Sequence, residues 1–254
     1  MDKRIGAQLY TVRDFTKTKE DFEKTIEKIA KIGYKAVQLS AIGPIDAKDI
    51  REICDKYSVI PVCTHRSMDE YINNLEWSIN FHKEIGCNIA GLGSYPNIWG
   101  GITKEDAANF VKDMNRISAA FKKHGITLAY HNHHLEFMKI DNQFIMDFFA
   151  ENGDFDFILD VYWLAYAGID PARYIKKLGK RAKVIHFKDM KIVRGDNDHE
   201  IAEVMEGNLD WDSIIAASED AGSEWAMVEQ DICQRDPFES LAISYNNLKT
   251  KGFN

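Results

Sequence analysis

Several features that would point to particular classes of protein are missing from this sequence of 254 residues. No apolar run reaches the roughly 20 residues that a membrane-spanning helix needs, and the first residues include no apolar segment typical of a signal peptide. The four cysteines are scattered and form no CxxC pair, so neither a zinc-thiolate site nor a disulfide framework is expected. We therefore expect a cytoplasmic protein with free thiols and no membrane segment.

An excess of positive charge is also missing. Lysine and arginine number 32 against 40 aspartates and glutamates, which gives a net charge of −8. Nucleic acids and anionic membranes bind basic surfaces, so neither partner is expected. No GxGxxG motif follows the first predicted strand, and no glycine-rich phosphate-binding loop is present, so a dinucleotide site is not expected either.

Short β-rich segments alternate with longer helix-like segments from end to end. Eight such alternations predict a single-domain (β/α)8 TIM barrel over residues 1–254, a usual length for that fold, with a doubly wound open sheet as the alternative. In the segment 106–124, Phe110, Met114, Ile117 and Phe121 recur at helical spacing. The predicted strands are Ile5–Tyr10, Ala36–Leu39, Val59–Thr64, Asn88–Leu92, Thr127–His131, Phe155–Leu159, Lys183–Phe187 and Ala226–Glu229.

Two long connections follow strands, at Gly93–Ile102 and Met190–Asp210. The carboxyl ends of barrel strands and the loops after them form the catalytic face, so both segments should lie there. Loops of this length in a compact domain are often lids or binding loops.

Polar side chains of metal-binding type stand at the ends of three consecutive predicted strands. Asp160, His186 and Glu229 each lie within or directly after an apolar strand. Taken singly, the aspartate fits a helix cap, the histidine a core residue and the glutamate a lysine partner. Because consecutive barrel strands bring their ends together, the three predict a divalent metal site. Mixed nitrogen and oxygen ligands suit zinc, manganese, iron or cobalt better than calcium.

Longer motifs around these residues resemble those of the xylose isomerase-like TIM-barrel superfamily, in its branch of sugar phosphate isomerases/epimerases. The resemblance covers nearly the whole chain. The motifs are Tyr130-His131-Asn132-His133 with Glu136-Phe137, Leu159-Asp160-Val161-Tyr162-Trp163 with Ala167-Gly168-Ile169-Asp170-Pro171, His186-Phe187-Lys188-Asp189 and Val228-Glu229-Gln230-Asp231.

The resemblance implies one divalent ion, often manganese, with zinc, cobalt, iron and magnesium as alternatives. Such enzymes hold it with Glu, Asp, His and Glu from the fifth to eighth strands, and Asp160, His186 and Glu229 match three of these. Where many relatives have Glu-Asn-His, this chain has His131-Asn132-His133. We expect His131 to be the fourth ligand, with Glu136 as the alternative.

A second departure concerns substrate binding. Ketose epimerases commonly have a histidine three residues after the ligand aspartate, and here Trp163 stands there. A tryptophan offers a sugar ring a flat apolar face. Further residues expected to bind substrate are His65, His133, Gln8 and Tyr10, which lie at predicted strand ends.

The chemistry implied by the resemblance starts with removal of a proton next to a carbonyl, which gives an enediolate. Glu229 is the expected base, and Glu136, five residues beyond His131, is the expected acid/base on the opposite side. Lys188 lies two residues after His186 on the same strand face and is expected to polarise a substrate oxygen, with a salt bridge to Asp160 or Glu229 as the alternative.

We expect a metal-dependent isomerase or epimerase acting on a small sugar or polyol. The alternative is a lyase that acts on an inosose or a 3-keto-glycoside through the same enediolate. Hydrolysis of abasic DNA, as in endonuclease IV-like relatives, needs three metals and more ligands, and a barrel that has lost its chemistry is a fourth class. Relatives are often dimers or tetramers, so a homo-oligomer is in keeping with the resemblance.

Overall fold

The computed structural model describes residues 3–96, 98–195 and 199–254. Its strands are Ile5–Gln8 (β1), Ala36–Leu39 (β2), Ile60–Thr64 (β3), Ile89–Leu92 (β4), Thr127–His131 (β5), Lys139–Ile140 (β6), Gln143–Phe144 (β7), Asp156–Asp160 (β8), Ala182–Phe187 (β9), Asp189–Ile192 (β10), His199–Ala202 (β11) and Trp225–Val228 (β12). Its α-helices are Lys19–Ile32 (α1), Ala47–Lys56 (α2), Met68–Asn73 (α3), Leu75–Ile85 (α4), Lys104–Lys122 (α5), Ile145–Asn152 (α6), Val161–Tyr166 (α7), Pro171–Leu178 (α8), Trp211–Ala221 (α9) and Pro237–Lys249 (α10).

Eight of the strands form one sheet in the order β3-β2-β1-β12-β9-β8-β5-β4, and neighbouring strands are parallel. The two outer strands also meet. Arg66 N, just after β3, donates to Gly91 O of β4 over 2.9 Å, and Arg66 pairs with Leu92 in a parallel bridge. The sheet therefore closes on itself with helices around it, which confirms the predicted TIM barrel.

Apolar side chains fill two layers. The larger layer lies between the sheet and the helices. In α5, for example, Phe110, Met114, Ile117 and Phe121 are all buried, as their spacing predicted, and Thr103 and Asp106 form a capping box at the start of the helix. The smaller layer consists of Ala36, Val62, Cys63, Ile89, Ala129, Ile158, Val184 and Met227.

Strand periodicity explains how the smaller layer positions the polar residues above it. Side chains two residues apart lie on the same face of a strand. Each of the apolar residues Ala129, Ile158, Val184 and Met227 precedes, by two positions, His131, Asp160, His186 and Glu229 respectively. The apolar layer therefore fills the barrel interior beneath the four polar residues. The polar residues lie on the same strand faces, nearer to the carboxyl ends of the strands.

The structure adds detail that the sequence analysis did not predict. The first strand ends at Gln8, because the Gln8 side chain accepts from Tyr10 N and begins a 3-10 helix over Leu9–Phe15. The long connection after the seventh predicted strand contains the antiparallel hairpin β10–β11. Residues 97 and 196–198 of the two long connections lie outside the described residues.

The cysteines and the longest helices of the described residues are free of the features that the sequence argued against. All four cysteines are free. Within the described ranges, no helix is both long enough and apolar enough to cross a membrane.

Candidate active site

Four side chains of metal-binding type meet at the carboxyl end of the barrel. They are His131 at the end of β5, Asp160 at the end of β8, His186 in β9 and Glu229 directly after β12. One ligand atom of each lies within 4.8 Å of those of the others, and all four residues are buried. Since β5, β8, β9 and β12 are consecutive in the sheet, strand order alone accounts for the convergence. Glu136 is not a member of this group.

The tautomer of His131 leaves one nitrogen free for a ligand. His131 Nδ1 is 2.9 Å from Gly93 O. A carbonyl oxygen only accepts, so Nδ1 holds a proton, and in the neutral ring the lone pair is on Nε2. His131 Nε2 lies 3.5 Å from Asp160 Oδ2 and has no hydrogen-bond partner among the described residues. A carbonyl that orients a ligand histidine in this way is a recurrent feature of metal sites.

Asp160 has one oxygen in a helix cap and a second oxygen that faces the other charged groups of the site. Its Oδ1 accepts from Trp163 N over 3.0 Å and caps α7. Its Oδ2 is buried and accepts no hydrogen bond from the described residues, although Lys188 Nζ lies 3.3 Å from it in an ion pair. Buried carboxylate oxygens are normally satisfied, so this oxygen, beside His131 Nε2, fits a bound cation. The helix-cap interpretation and the metal-ligand interpretation of Asp160 are therefore compatible.

His186 lies between a carboxylate and an amide. Its Nδ1 is 2.9 Å from Glu229 Oε2, and its Nε2 is 2.8 Å from Gln38 Oε1. Burial opposes the charged ring, but the carboxylates of Glu229 and Asp160 outweigh it and raise the pKa of His186 to about 9. The Gln38 contact holds the Nε2 proton, so a metal ion would bind at Nδ1 and displace the proton that this nitrogen shares with Glu229.

Lys188 is a buried cation at the edge of this group. Its Nζ lies 2.6 Å from Asp231 Oδ2, 3.3 Å from Asp160 Oδ2 and 3.5 Å from Glu229 Oε2. Burial works against the ammonium, but the three carboxylates outweigh it and hold the pKa of Lys188 above its ordinary value. Three carboxylates against one lysine leave two negative charges once a bound ion has displaced the second proton of His186. A divalent cation balances that charge, so the donor set fits such an ion.

A cavity of about 730 Å³ opens above these residues. Of the residues predicted to bind substrate, Tyr10, His65, His133 and Trp163 line it, together with Lys188 and Glu229. The Trp163 ring packs against the Lys188 ammonium, with Nζ 4.9 Å from the ring centroid. The cavity therefore offers an aromatic face and several polar groups beside the candidate metal site.

Two predicted site residues lie behind the cavity wall instead of lining it. Glu136 is fully buried: its Oε1 accepts from Tyr130 Oη over 2.6 Å and its Oε2 accepts from His133 N over 2.9 Å. Gln8 is also fully buried, and its Nε2 contacts His65 Nδ1. Both differ from the expectation of direct substrate contact, because their polar atoms are already engaged with protein groups. The structure places them where they support His133 and His65.

Gln38 and Asp231 contact site residues, but the sequence analysis gave neither a role. Gln38 is the one polar residue in the fully buried strand β2, and it holds His186. Asp231 follows Glu229 by two positions and pairs with Lys188. A buried polar residue in an apolar strand is a signal that could have identified Gln38. Spacing alone does not identify Asp231, because β12 ends before it.

Comparisons with known proteins agree with this architecture. The xylose isomerase-like TIM barrel family matches residues 26–242. An inosose dehydratase from Clostridium perfringens is 22% identical, over 91% of this chain and 90% of that protein. A sugar phosphate isomerase/epimerase from Parabacteroides distasonis has a structure with a TM-score of 0.83 at 24% identity, covering 100% of this chain and 96% of that one. A probable 3-DHS dehydratase from Bacillus anthracis gives a TM-score of 0.74 at 13% identity, with 98% and 99% covered.

At these identities the structural matches establish the fold only. The match to the family model establishes the family. That match extends over most of the barrel, from α1 to α10. The chain belongs to the xylose isomerase-like TIM barrel family.

Proposed function

We propose that this protein is a metal-dependent isomerase that removes a proton next to the carbonyl group of a sugar-like polyol. The observation that supports this most directly is the buried group of His131, Asp160, His186 and Glu229 beside a polar cavity. A divalent ion held by these four residues supplies Lewis-acid stabilisation of negative charge on substrate oxygens. Of the alternatives, manganese is the ion that we expect.

Glu229 is the proposed base. Its carboxylate lines the cavity, and one oxygen is held by His186 Nδ1 and lies 3.5 Å from Lys188 Nζ. These contacts orient the group toward the space where substrate enters. Lys188 also lines the cavity, where its ammonium donates to a substrate oxygen, and Asp231 keeps that ammonium in place. His133 and the Trp163 ring complete the wall and bind substrate hydroxyls and the apolar face of the carbon chain.

The geometry favours one glutamate base over two. Glu229 lines the cavity, whereas Glu136 is engaged with Tyr130 and His133 behind it. One base can remove a proton and return it to the neighbouring carbon on the same face, while the hydroxyl proton passes to the former carbonyl oxygen. Together these two transfers move a carbonyl along the chain. Inversion of a carbon needs proton donors on both faces, so we favour isomerisation over epimerisation.

A lyase acting on an inosose or a 3-keto-glycoside is the second candidate. It is supported by the curated relatives, since matching proteins from Clostridium perfringens and Mesomycoplasma hyopneumoniae are named inosose dehydratases. The first step is the same: Glu229 takes the proton next to the carbonyl. A leaving group on the next carbon then departs, and Lys188 is placed to protonate it.

Turnover in deuterium oxide, followed by NMR, tests both candidates. The screen uses free ketoses, inososes and 3-keto-sugars with the manganese-loaded protein. An isomerase gives a rearranged product with deuterium at the carbon that received the proton, whereas a lyase gives an eliminated product that has lost the proton. Glu229→Gln should abolish either reaction. Conversion with the carbon-bound hydrogen retained at every pH would instead indicate hydride transfer and overturn the proposal.

A further inference from the structure

Two glutamines on neighbouring strands contact two histidines of the site with opposite ends of their amide groups. Gln8 of β1 and Gln38 of β2 are paired in register. Gln38 presents Oε1 to His186 Nε2 at 2.8 Å, whereas Gln8 presents Nε2 to His65 Nδ1 at 3.4 Å. An amide oxygen accepts and an amide nitrogen donates. Gln38 therefore requires a proton on the ring nitrogen that it contacts, whereas Gln8 requires a lone pair on the ring nitrogen that it contacts.

The orientation of the Gln8 amide follows from the backbone. Gln8 Oε1 accepts from Tyr10 N over 2.9 Å. A backbone N–H only donates, so the atom that it contacts must be the amide oxygen. The other amide atom is then the nitrogen, which donates to His65 Nδ1. His65 Nδ1 must therefore have a lone pair, and the neutral ring holds its proton on Nε2.

The proton on Nε2 matters because of where the His65 ring lies. The ring lines the cavity, with its centroid 4.9 Å from the His131 ring and 5.4 Å from the His186 ring. Across the described ranges, His65 Nε2 has no hydrogen-bond partner. A lone pair on that nitrogen would make His65 a further candidate ligand, whereas an N–H group cannot coordinate a metal ion. In the neighbouring His131, the Gly93 carbonyl has the opposite effect and leaves Nε2 unprotonated.

We propose that Gln8 is a positioning residue that locks His65 in the Nε2–H tautomer. In this tautomer, His65 is excluded from the metal ligands and donates a hydrogen bond to a substrate oxygen in the cavity. The tautomer follows from the structure alone. The identity of the acceptor rests on the proposed function.

The tautomer can be observed directly by nitrogen NMR of the zinc-loaded protein labelled with 15N-histidine. The resonances of His65 are identified by their loss in His65→Gln. We expect a protonated Nε2 and an unprotonated Nδ1. A protonated Nδ1, or a ring with two protons, would overturn the proposal.

Gln8→Glu tests the cause, since it replaces the amide nitrogen by an oxygen of nearly the same size. One carboxylate oxygen can still accept from Tyr10 N, and the other now requires a proton on His65 Nδ1. We expect the Nδ1 resonance to change from the unprotonated to the protonated type. Gln8→Leu, which offers no polar group, should shift the same resonance toward the value for a mixture of the two tautomers. This variant replaces Gln8→Glu as the test if Gln8→Glu does not fold. An unchanged His65 spectrum in the folded variants contradicts the role of Gln8.

These spectra do not depend on turnover, so the proposal and the proposed function can fail separately. If the tautomer is as expected but no sugar is converted, the positioning role remains and the reaction must be reconsidered. On a converted substrate, Gln8→Leu should lower kcat by about 10-fold or more, because a donor to the developing charge is no longer fixed.

Discussion

At the scale of single residues, His131 is the most informative member of the candidate site, because the resemblance drawn from the sequence implies a glutamate at that position. His131 has its Nδ1 proton held by Gly93 O, and its Nε2 faces Asp160. We expect His131→Gln to weaken manganese binding by more than the roughly 10- to 100-fold typical of losing an outer hydrogen-bond partner. Titration of the metal-free protein with manganese measures this.

Glu136→Gln is the matched comparison, because Glu136 lies on the same segment but contacts no other candidate ligand. Both Glu136 oxygens accept hydrogen bonds, and an amide nitrogen would face a donor at one of them. We expect metal affinity to be retained, a loss of about 1–3 kcal/mol in the free energy of unfolding, and lower turnover because His133 shifts. Loss of metal in Glu136→Gln, with retention in His131→Gln, would reverse the assignment of the fourth ligand.

A buried histidine away from the site makes the stability of the protein depend on pH. His82 Nδ1 is 2.7 Å from Ser78 O, so that nitrogen holds the proton, and Nε2 accepts from Thr64 Oγ1 over 2.9 Å. Burial, aided by the nearby Arg66 guanidinium, lowers the pKa of His82 to about 4 although the Ser78 contact opposes it. The unfolded chain binds a proton at a pKa of about 6.5, well before the folded protein does.

The stabilisation from neutral His82 is therefore complete above pH 6.5 and is lost as the pH falls toward about 4. The slope is at most about 1.4 kcal/mol per pH unit. We expect His82→Gln, which keeps a donor and an acceptor, to have a flatter profile than the wild type in this range. Urea unfolding at several pH values measures the difference between the two proteins. Parallel profiles would show that His82 titrates normally in the folded state.

At the scale of elements, the connection after the seventh barrel strand depends on one carboxylate. The buried side chain of Asp189 accepts from the backbone N–H groups of Met190, Met205, Gly207 and Leu209 and from Trp211 Nε1. These donors come from the hairpin, the segment after it and the start of α9. The connection that the sequence analysis assigned to the catalytic face is thus ordered, within its described part, around Asp189.

Asp189→Ala removes all five acceptor contacts at once. We expect a loss of about 3 kcal/mol or more in the free energy of unfolding, because several donors lose a charged partner. Hydrogen exchange should accelerate at residues 203–211 and remain slow in the barrel strands. Asp189→Asn retains one accepting oxygen and should lose less. Equal effects of the two substitutions, or no local change in exchange, would contradict this role.

An element could be predicted from the sequence when the pattern that causes it lies within one segment of the chain. The eight strands were predicted as short β-rich segments, because strands buried on both faces are apolar along their length, and α5 was predicted from its apolar period of 3.6. Convergence of Asp160, His186 and Glu229 then followed from strand order. The β6–β7 hairpin was not predicted, since it consists of two-residue strands joined by Asp141 and Asn142, both at positive φ. The orientation of Gln8 depends on His65, which belongs to a distant segment of the chain. The orientation of Glu136 depends on the hydroxyl of Tyr130, and spacing along the chain does not reveal which way either side chain turns.

At the scale of the whole molecule, the candidate ligands come from four consecutive strands, β5, β8, β9 and β12. An ion bound to all four residues would link four of the eight barrel strands. It would bind only the folded state, because the unfolded chain does not bring the ligands together. Such an ion stabilises by RT ln(1 + [M]/Kd), about 2.7 kcal/mol at 100 times the Kd. For a chain of this size, that corresponds to a rise of roughly 5–10 °C in Tm.

We expect manganese, zinc or cobalt to raise the Tm of the chelator-treated protein, measured by calorimetry at increasing ion concentration. Asp160→Asn is the sharper control, because its remaining oxygen can still cap α7 at Trp163 N while the charge at Oδ2 is lost. Asp160→Ala removes the cap as well and should lower the metal-free Tm by a further amount, about 1 kcal/mol in stability. Both variants should be insensitive to metal. If the wild-type Tm does not respond to any of these ions, or if Asp160→Asn responds equally, the four residues are not a metal site, and the charge of the cluster must be balanced by protonation.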